Sequence, residues 1–168
     1  MNDQYVSTKK IVAINNITEL LAHALALEVE ATDRYRELAE LMNVHNNNEV
    51  AQLFKKMAEI EKMHVEQILQ MVSKHNMGDL PKSEWKWISV EGSKTIDPMD
   101  LYYWMTSHQA LKLALINEQR AHEYYQQVAD STSDEETCSL ASELATEEEE
   151  HVALIKEWME KIHEDNED

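Results

Sequence analysis

Apolar residues recur along this chain at spacings of three and four, and polar runs interrupt them in three places. The first stripe runs Ile17, Leu20, Leu21, Ala24, Ala31, Tyr35, Leu38 and Met42, the one-face spacing of an α-helix. Asn16, with Glu19 three residues on, makes a capping-box-like start. Asn46-Asn47-Asn48 breaks the stripe, because short amides compete for backbone hydrogen bonds. A second stripe reads Val50, Phe54, Met57, Glu61, His64, Ile68 and Met71 and fades by Asn76–Gly78. Residues 79–97 are irregular, with Pro81, Trp85, Trp87 and Gly92. Asp97-Pro98 then supplies an N-cap and a proline at the first helical position. That third helix carries Leu101, Trp104, His108, Leu111, Leu115, Glu118, Tyr125 and Val128. Ser131–Ser133 forms the last break, and Ser133 with Glu136 reads as a second capping box. The fourth stripe is Leu140, Leu144, Glu148, His151, Ile155, Trp158 and Ile162, before an acidic, frayed tail at Glu164–Asp168. The spacing predicts helices over about 16–43, 47–75, 98–130 and 134–163, with a crossover at 76–97. An all-α antiparallel four-helix bundle with a long connection between helices 2 and 3 fits this pattern. It is read as one domain over 1–168.

Composition narrows the picture. Two Gly and two Pro in 168 residues favour long helices. The net charge of −18 makes nucleic acid and anionic membrane surfaces poor partners. One cysteine, Cys138, excludes an intrachain disulfide and any Cys-x-x-Cys metal knuckle. With no basic leader and no apolar run of spanning length, the reading is a soluble, cytoplasmic protein.

Glu61 and His64 occupy core positions in an otherwise apolar row, three residues apart and so on one helix face. The second half of the chain repeats the first. Glu28 with Tyr35 is matched by Glu118 with Tyr125, and Glu61/His64 by Glu148/His151. Glu160/His163 has the same spacing but no counterpart, and Glu160 lies off its stripe. Burying a carboxylate without a partner costs several kcal/mol, roughly, and this pattern places four at mid-helix. Two divalent metal ions would neutralise them. Carboxylate oxygens with one imidazole per ion suit iron or manganese, with zinc a further candidate. His108 reads as a packed core histidine. His122 reads as solvent-facing or interhelical. Glu147, beside Glu148, is close enough to substitute for it.

Glu, Tyr seven residues later, then Glu-x-x-His, all repeated, resembles the ferritin-like di-iron superfamily, whose known ligand pattern this is. The nearest likeness is to the di-iron domain of the rubrerythrin family, carried by Ala24-Leu25-Ala26-Leu27-Glu28 through Ala39 and by Leu53 through His64. The resemblance spans about residues 16–163. It implies that Glu28, Glu61, His64, Glu118, Glu148 and His151 hold two iron ions, with Tyr35 and Tyr125 beside the site. It also implies a homodimer or larger, and Trp104, Met105, Trp158 and Met159 offer apolar surface for one. Two features depart from rubrerythrins proper. The four-cysteine rubredoxin-like domain is missing, and Ala121 stands where they carry an additional Glu.

Three functions fit. One is an oxidoreductase reducing peroxide or dioxygen, or oxidising Fe(II), with a separate electron-donor protein. Another is iron storage. The third is a non-catalytic metal-stabilised interaction module, for which the two-tryptophan connection would be the contact surface.

Overall fold

The computed structural model describes Ile14 and residues 16–80 and 105–165, with side chains as far as His163. Four helices make up the described chain: α1 (Ile17–Val44), α2 (Asn48–Lys74), α3 (Ser107–Ser131) and α4 (Glu135–Asp165). They form an all-α four-helix bundle. The expected start of the third helix at Asp97-Pro98, the connection through Trp85 and Trp87, Trp104, and the tail beyond Asp165 lie outside the described residues.

The ends of the helices follow from side-chain chemistry. Asn16 caps α1 by accepting the Glu19 N–H at 2.9 Å. At the other end Asn46 adopts φ 57, the left-handed region where Asn substitutes for Gly. Asn46 N–H then reaches Asn43 O, and Asn47 N–H reaches Met42 O. Helix α2 ends the same way: Asn76 has φ 49, with Asn76 N–H on Ser73 O and Met77 N–H on Val72 O. Two asparagines thus do the work of C-terminal glycines in a chain that has almost none.

The helix expected over 98–130 is interrupted, and one expected start is corrected. Met105 and Thr106 are not helical, and α3 opens with a reciprocal box in which Thr106 Oγ1 accepts Gln109 N–H and Gln109 Oε1 accepts Thr106 N–H. Helix α4 is capped by Asp134, not Ser133. One Asp134 carboxylate oxygen accepts both the Thr137 N–H at 2.9 Å and the Thr137 hydroxyl at 2.5 Å. A charged acceptor makes the stronger hydrogen bond and moves the start one residue on.

Helices α1 and α2 pair along their length, as do α3 and α4. The core falls into two clusters. One joins the C-terminal half of α1 (Tyr35, Leu38, Met42) to the start of α2 (Val50, Phe54, Met57), the start of α3 (Ala110, Leu111) and Ile155 of α4. The other joins Leu20, Leu21 and Leu27 of α1 to Ile68 of α2, Val128 of α3 and Leu140 of α4. The starts of α2 and α3 therefore share one end of the bundle. Met77 packs at the opposite end from Met105. The expected crossover itself lies outside the described residues beyond residue 80.

The residues offered as an assembly surface pack within the chain where they are described. Met105 is 5% exposed, and Trp158 and Met159 lie against the first cluster. Among the described residues no helix is long and apolar enough to cross a membrane.

Candidate metal centre

A polar layer separates the two apolar clusters. Each helix contributes at its middle: Glu28 from α1, Glu61 and His64 from α2, Glu118 from α3, Glu148 and His151 from α4. All six are buried, from 0% exposure at Glu28 to 8% at His64. They fall between core positions of their own stripes, so packing of the apolar residues on either side drives them inward together.

Both imidazoles turn Nδ1 toward the carboxylates. His64 Nδ1 lies 3.3 Å from Glu61 and 3.6 Å from Glu28. His151 Nδ1 lies 3.1 Å from Glu61, 3.3 Å from Glu118 and 3.5 Å from Glu148. The two rings stack at 5.5 Å with planes 10° apart. Glu61 thus stands between the two histidines. Ligand atoms of Glu61, His64 and His151, and of Glu118, Glu148 and His151, lie close enough together to grip an ion.

The donor set fits a metal. Glu28 Oε2, both Glu61 oxygens and His64 Nδ1 are buried without a hydrogen-bond partner. Glu61 is within ion-pair distance of both imidazoles, yet these contacts lack hydrogen-bond alignment. Buried polar groups are ordinarily satisfied, and a cluster of orphan donors with hard oxygens and imidazole is what divalent transition metals take up.

The tyrosines connect the halves crosswise. The Tyr35 hydroxyl donates to Glu118, and the Tyr125 hydroxyl donates to Glu28 Oε1 at 3.1 Å. Both rings are fully buried. Each phenol therefore orients the carboxylate that belongs to the other repeat, as in the outer supports of metal sites generally.

Without metal the cluster holds protons. Burial, then the neighbouring Glu61 carboxylate, pushes Glu28 well above the usual carboxylate range. Burial, then Glu118 and Glu28, does the same to Glu148. Burial alone would raise Glu61, but His151 and His64 beside it reverse this and hold it low. Burial alone would lower His64, and the facing Glu28 and Glu61 more than offset it, pushing the imidazole up to about 10. His151 is raised too, by Glu118, Glu148 and Glu61 acting against burial.

The sign follows. A histidine raised in the folded state stabilises the metal-free fold below its unfolded value near 6.5. For His64 that contribution is lost as pH rises through about 10. Metal requires the neutral imidazole. Loading at pH 7 is therefore expected to release protons, and affinity to rise with pH between about 6.5 and 10. Calorimetric titration in buffers of different ionisation enthalpy measures the release. A heat independent of buffer would contradict it.

A sequence model of the rubrerythrin family matches residues 19–90, which include Glu28, Glu61 and His64. The crystal structure of an uncharacterized conserved protein from Magnetospirillum magnetotacticum MS-1 is similar over 87% of this chain and 95% of its own. The two are 38% identical, with a TM-score of 0.76. The chain belongs to the rubrerythrin family. No curated protein matches it.

Other histidines take ordinary roles. His122 Nδ1–H donates to Ala145 O at 2.8 Å, an interhelical tie. His108 is half-buried, not in the core: its ring meets the edge of exposed His163 at 5.2 Å. Glu160 is exposed and outside the cluster. Glu147 is 39% exposed and lies 3.8 Å from His64 Nε2, on the far side of that ring from the carboxylates. The position of the rubrerythrins' additional Glu holds buried Ala121. The sequence reading passed over Asn117, buried beside Glu118. Its signal was available: Asn117 stands where the first repeat has Leu27.

Proposed function

We propose that this chain is a non-haem di-iron oxidoreductase that delivers electrons to peroxide or dioxygen, or oxidises Fe(II), and is recharged by an external donor. The observation that carries the reading is the set of buried carboxylates and imidazoles converging from all four helices, with atoms of Glu28, Glu61 and His64 left without a hydrogen-bond partner. Glu28, Glu61, His64, Glu118, Glu148 and His151 are the proposed ligands. A pair of irons held there supplies the redox chemistry. The chain supplies everything else. Glu61, between His64 and His151, is placed to serve both ions. Tyr35 and Tyr125 fix the orientation of Glu118 and Glu28. The apolar clusters above and below exclude water, which strengthens each electrostatic contact inside.

Ala121 leaves no second carboxylate on that turn of α3, so rubrerythrin-type peroxide reduction is one member of the class and not a requirement. Assembly as a homodimer or larger is part of the reading and rests on the family resemblance. The test is metal analysis of protein purified without oxygen, with optical spectra before and after peroxide. Two irons per chain and a spectral change on oxidation are expected. Metal-free protein, or a metal-loaded protein inert to both peroxide and dioxygen, would refute the reading.

A further inference from the structure

The internal repeat is broken one residue before the α4 carboxylate. Glu147 precedes Glu148, while Ile60 precedes Glu61 at the matching place. In the fold this difference falls on the histidines. His64 turns Nδ1 inward to Glu28 and Glu61, and its outer nitrogen, Nε2, lies 3.8 Å from the Glu147 carboxylate. His151 also turns Nδ1 inward, and among the described residues its ion-pair contacts all run through that atom. One imidazole therefore has carboxylates at both edges of its ring, and the other at one edge only.

An imidazole that offers a bare Nδ1 to a metal carries its proton on Nε2. A carboxylate facing that N–H fixes the tautomer and raises the basicity of the ring. The Glu147 side chain is 39% exposed. A shift of about 1 Å by so accessible a side chain turns the present ion-pair contact into a hydrogen bond. His64 itself is 8% exposed, so the contact is made at the edge of the buried layer. Glu143 and Glu150 share the same face of α4 but are exposed to solvent.

We propose that Glu147 is a positioning residue for His64, which holds the ring in its metal-binding tautomer and makes it the more basic of the two imidazoles. The two metal positions are then unequal, and the one served by His64 binds more tightly. The inference rests on the di-iron reading and adds an order to it: the His64 side fills first and the His151 side second.

Co(II) is the probe, a divalent ion that accepts the same oxygen and imidazole donors. Metal-free protein is titrated with it by calorimetry and visible absorption, and two distinct binding constants are expected in wild type. Changing an outer partner of a metal-bound histidine costs about 10–100-fold in affinity. Glu147→Ala should weaken the tighter constant by about tenfold, the lower end, because the contact is partly exposed, and leave the weaker one within about twofold. Glu143→Ala and Glu150→Ala remove the same charge from the same face without touching His64, and should leave both constants within about twofold. Ile60→Glu supplies the missing carboxylate on α2 and should tighten the weaker constant; the alanine set decides if that variant does not fold. In iron-loaded protein the lower of two one-electron reduction potentials should rise in Glu147→Ala, because a less basic imidazole stabilises Fe(III) less. Equal constants in wild type, unchanged constants in Glu147→Ala, or equal weakening in all three alanine variants overturns the inference and leaves the di-iron reading standing. So does complete loss of one metal in Glu147→Ala, which would make Glu147 a ligand. Wild type that binds no metal pair overturns both.

Discussion

Glu148→Ala is expected to lose at least one of two metal ions and most of the thermal stabilisation that metal confers. Glu148 is 2% exposed, and its carboxyl is pushed up by burial and by Glu118 and Glu28. In the metal-free fold His151, 3.5 Å away, offsets that placement only in part. A metal at about a hundred times its dissociation constant adds about 2.7 kcal/mol per site. For a chain of this size that is a rise in Tm of roughly 5–10 °C. Thermal unfolding with and without metal should show that rise in wild type and its loss in Glu148→Ala and Glu61→Ala. The metal-free forms should rank differently. Glu148→Gln replaces a disfavoured buried carboxyl with a neutral isostere, so its metal-free Tm should equal or exceed that of wild type. Glu160→Ala and His163→Ala, on exposed positions, should change neither metal content nor the metal-linked rise. Full metal content in Glu148→Ala would mean that Glu147 swings in to substitute, or that the assigned register is wrong.

How much of this was legible in the chain depends on what each feature needed. The helices needed only periodicity and breaks, so α1, α2 and α4 match their expected bounds within a residue or two. The start of α4 needed a choice between neighbouring caps, and local hydrogen bonds made it, with Asp134 in place of Ser133; the Thr106–Gln109 box that opens α3 was not singled out. Six polar residues stood out because each interrupts an apolar stripe and recurs in the second half, and they do lie together in one buried layer. What spacing could not give was which helix each face meets. Tyr35 lies seven residues from Glu28 in sequence yet bonds Glu118, because antiparallel α1 and α3 bring the two repeats face to face. Asn117 was missed for the same reason. It lies off the stripe drawn through Glu118, and only the cavity shared with Leu27, Ala31 and Ala121 shows where it belongs. His108 failed in the other direction: near the start of α3, Met105, Ala110 and Leu111 take the buried positions and His108 is left half-buried.

Reduced, iron-loaded protein is expected to react once with peroxide and then stop. Each peroxide reduced to water consumes two electrons, and a pair of irons stores two. The chain has no other store. Cys138 is its one cysteine, so it can form neither an internal dithiol nor the four-thiolate site of a rubredoxin. The Cys138 thiol lies against Ala129 O at 3.4 Å on α3, among the residues of the second cluster and away from the carboxylate layer. The buried tyrosines do not help, since burial and the Glu118 and Glu28 carboxylates push both phenols well above their usual range and keep them protonated as hydrogen-bond donors. On the proposed di-iron reading, electrons for further turnover come from another protein or from incoming Fe(II). Stopped-flow absorbance should therefore show a single fast phase with peroxide alone. Repeated turnover should appear only when a reductase system or Fe(II) is supplied. The fast phase should survive Cys138→Ser and vanish in Glu28→Ala and Glu118→Ala, which remove one proposed ligand from each half. Many turnovers with peroxide alone would point instead to dismutation, a reaction in which the substrate both donates and accepts electrons and which a manganese pair performs more readily than iron.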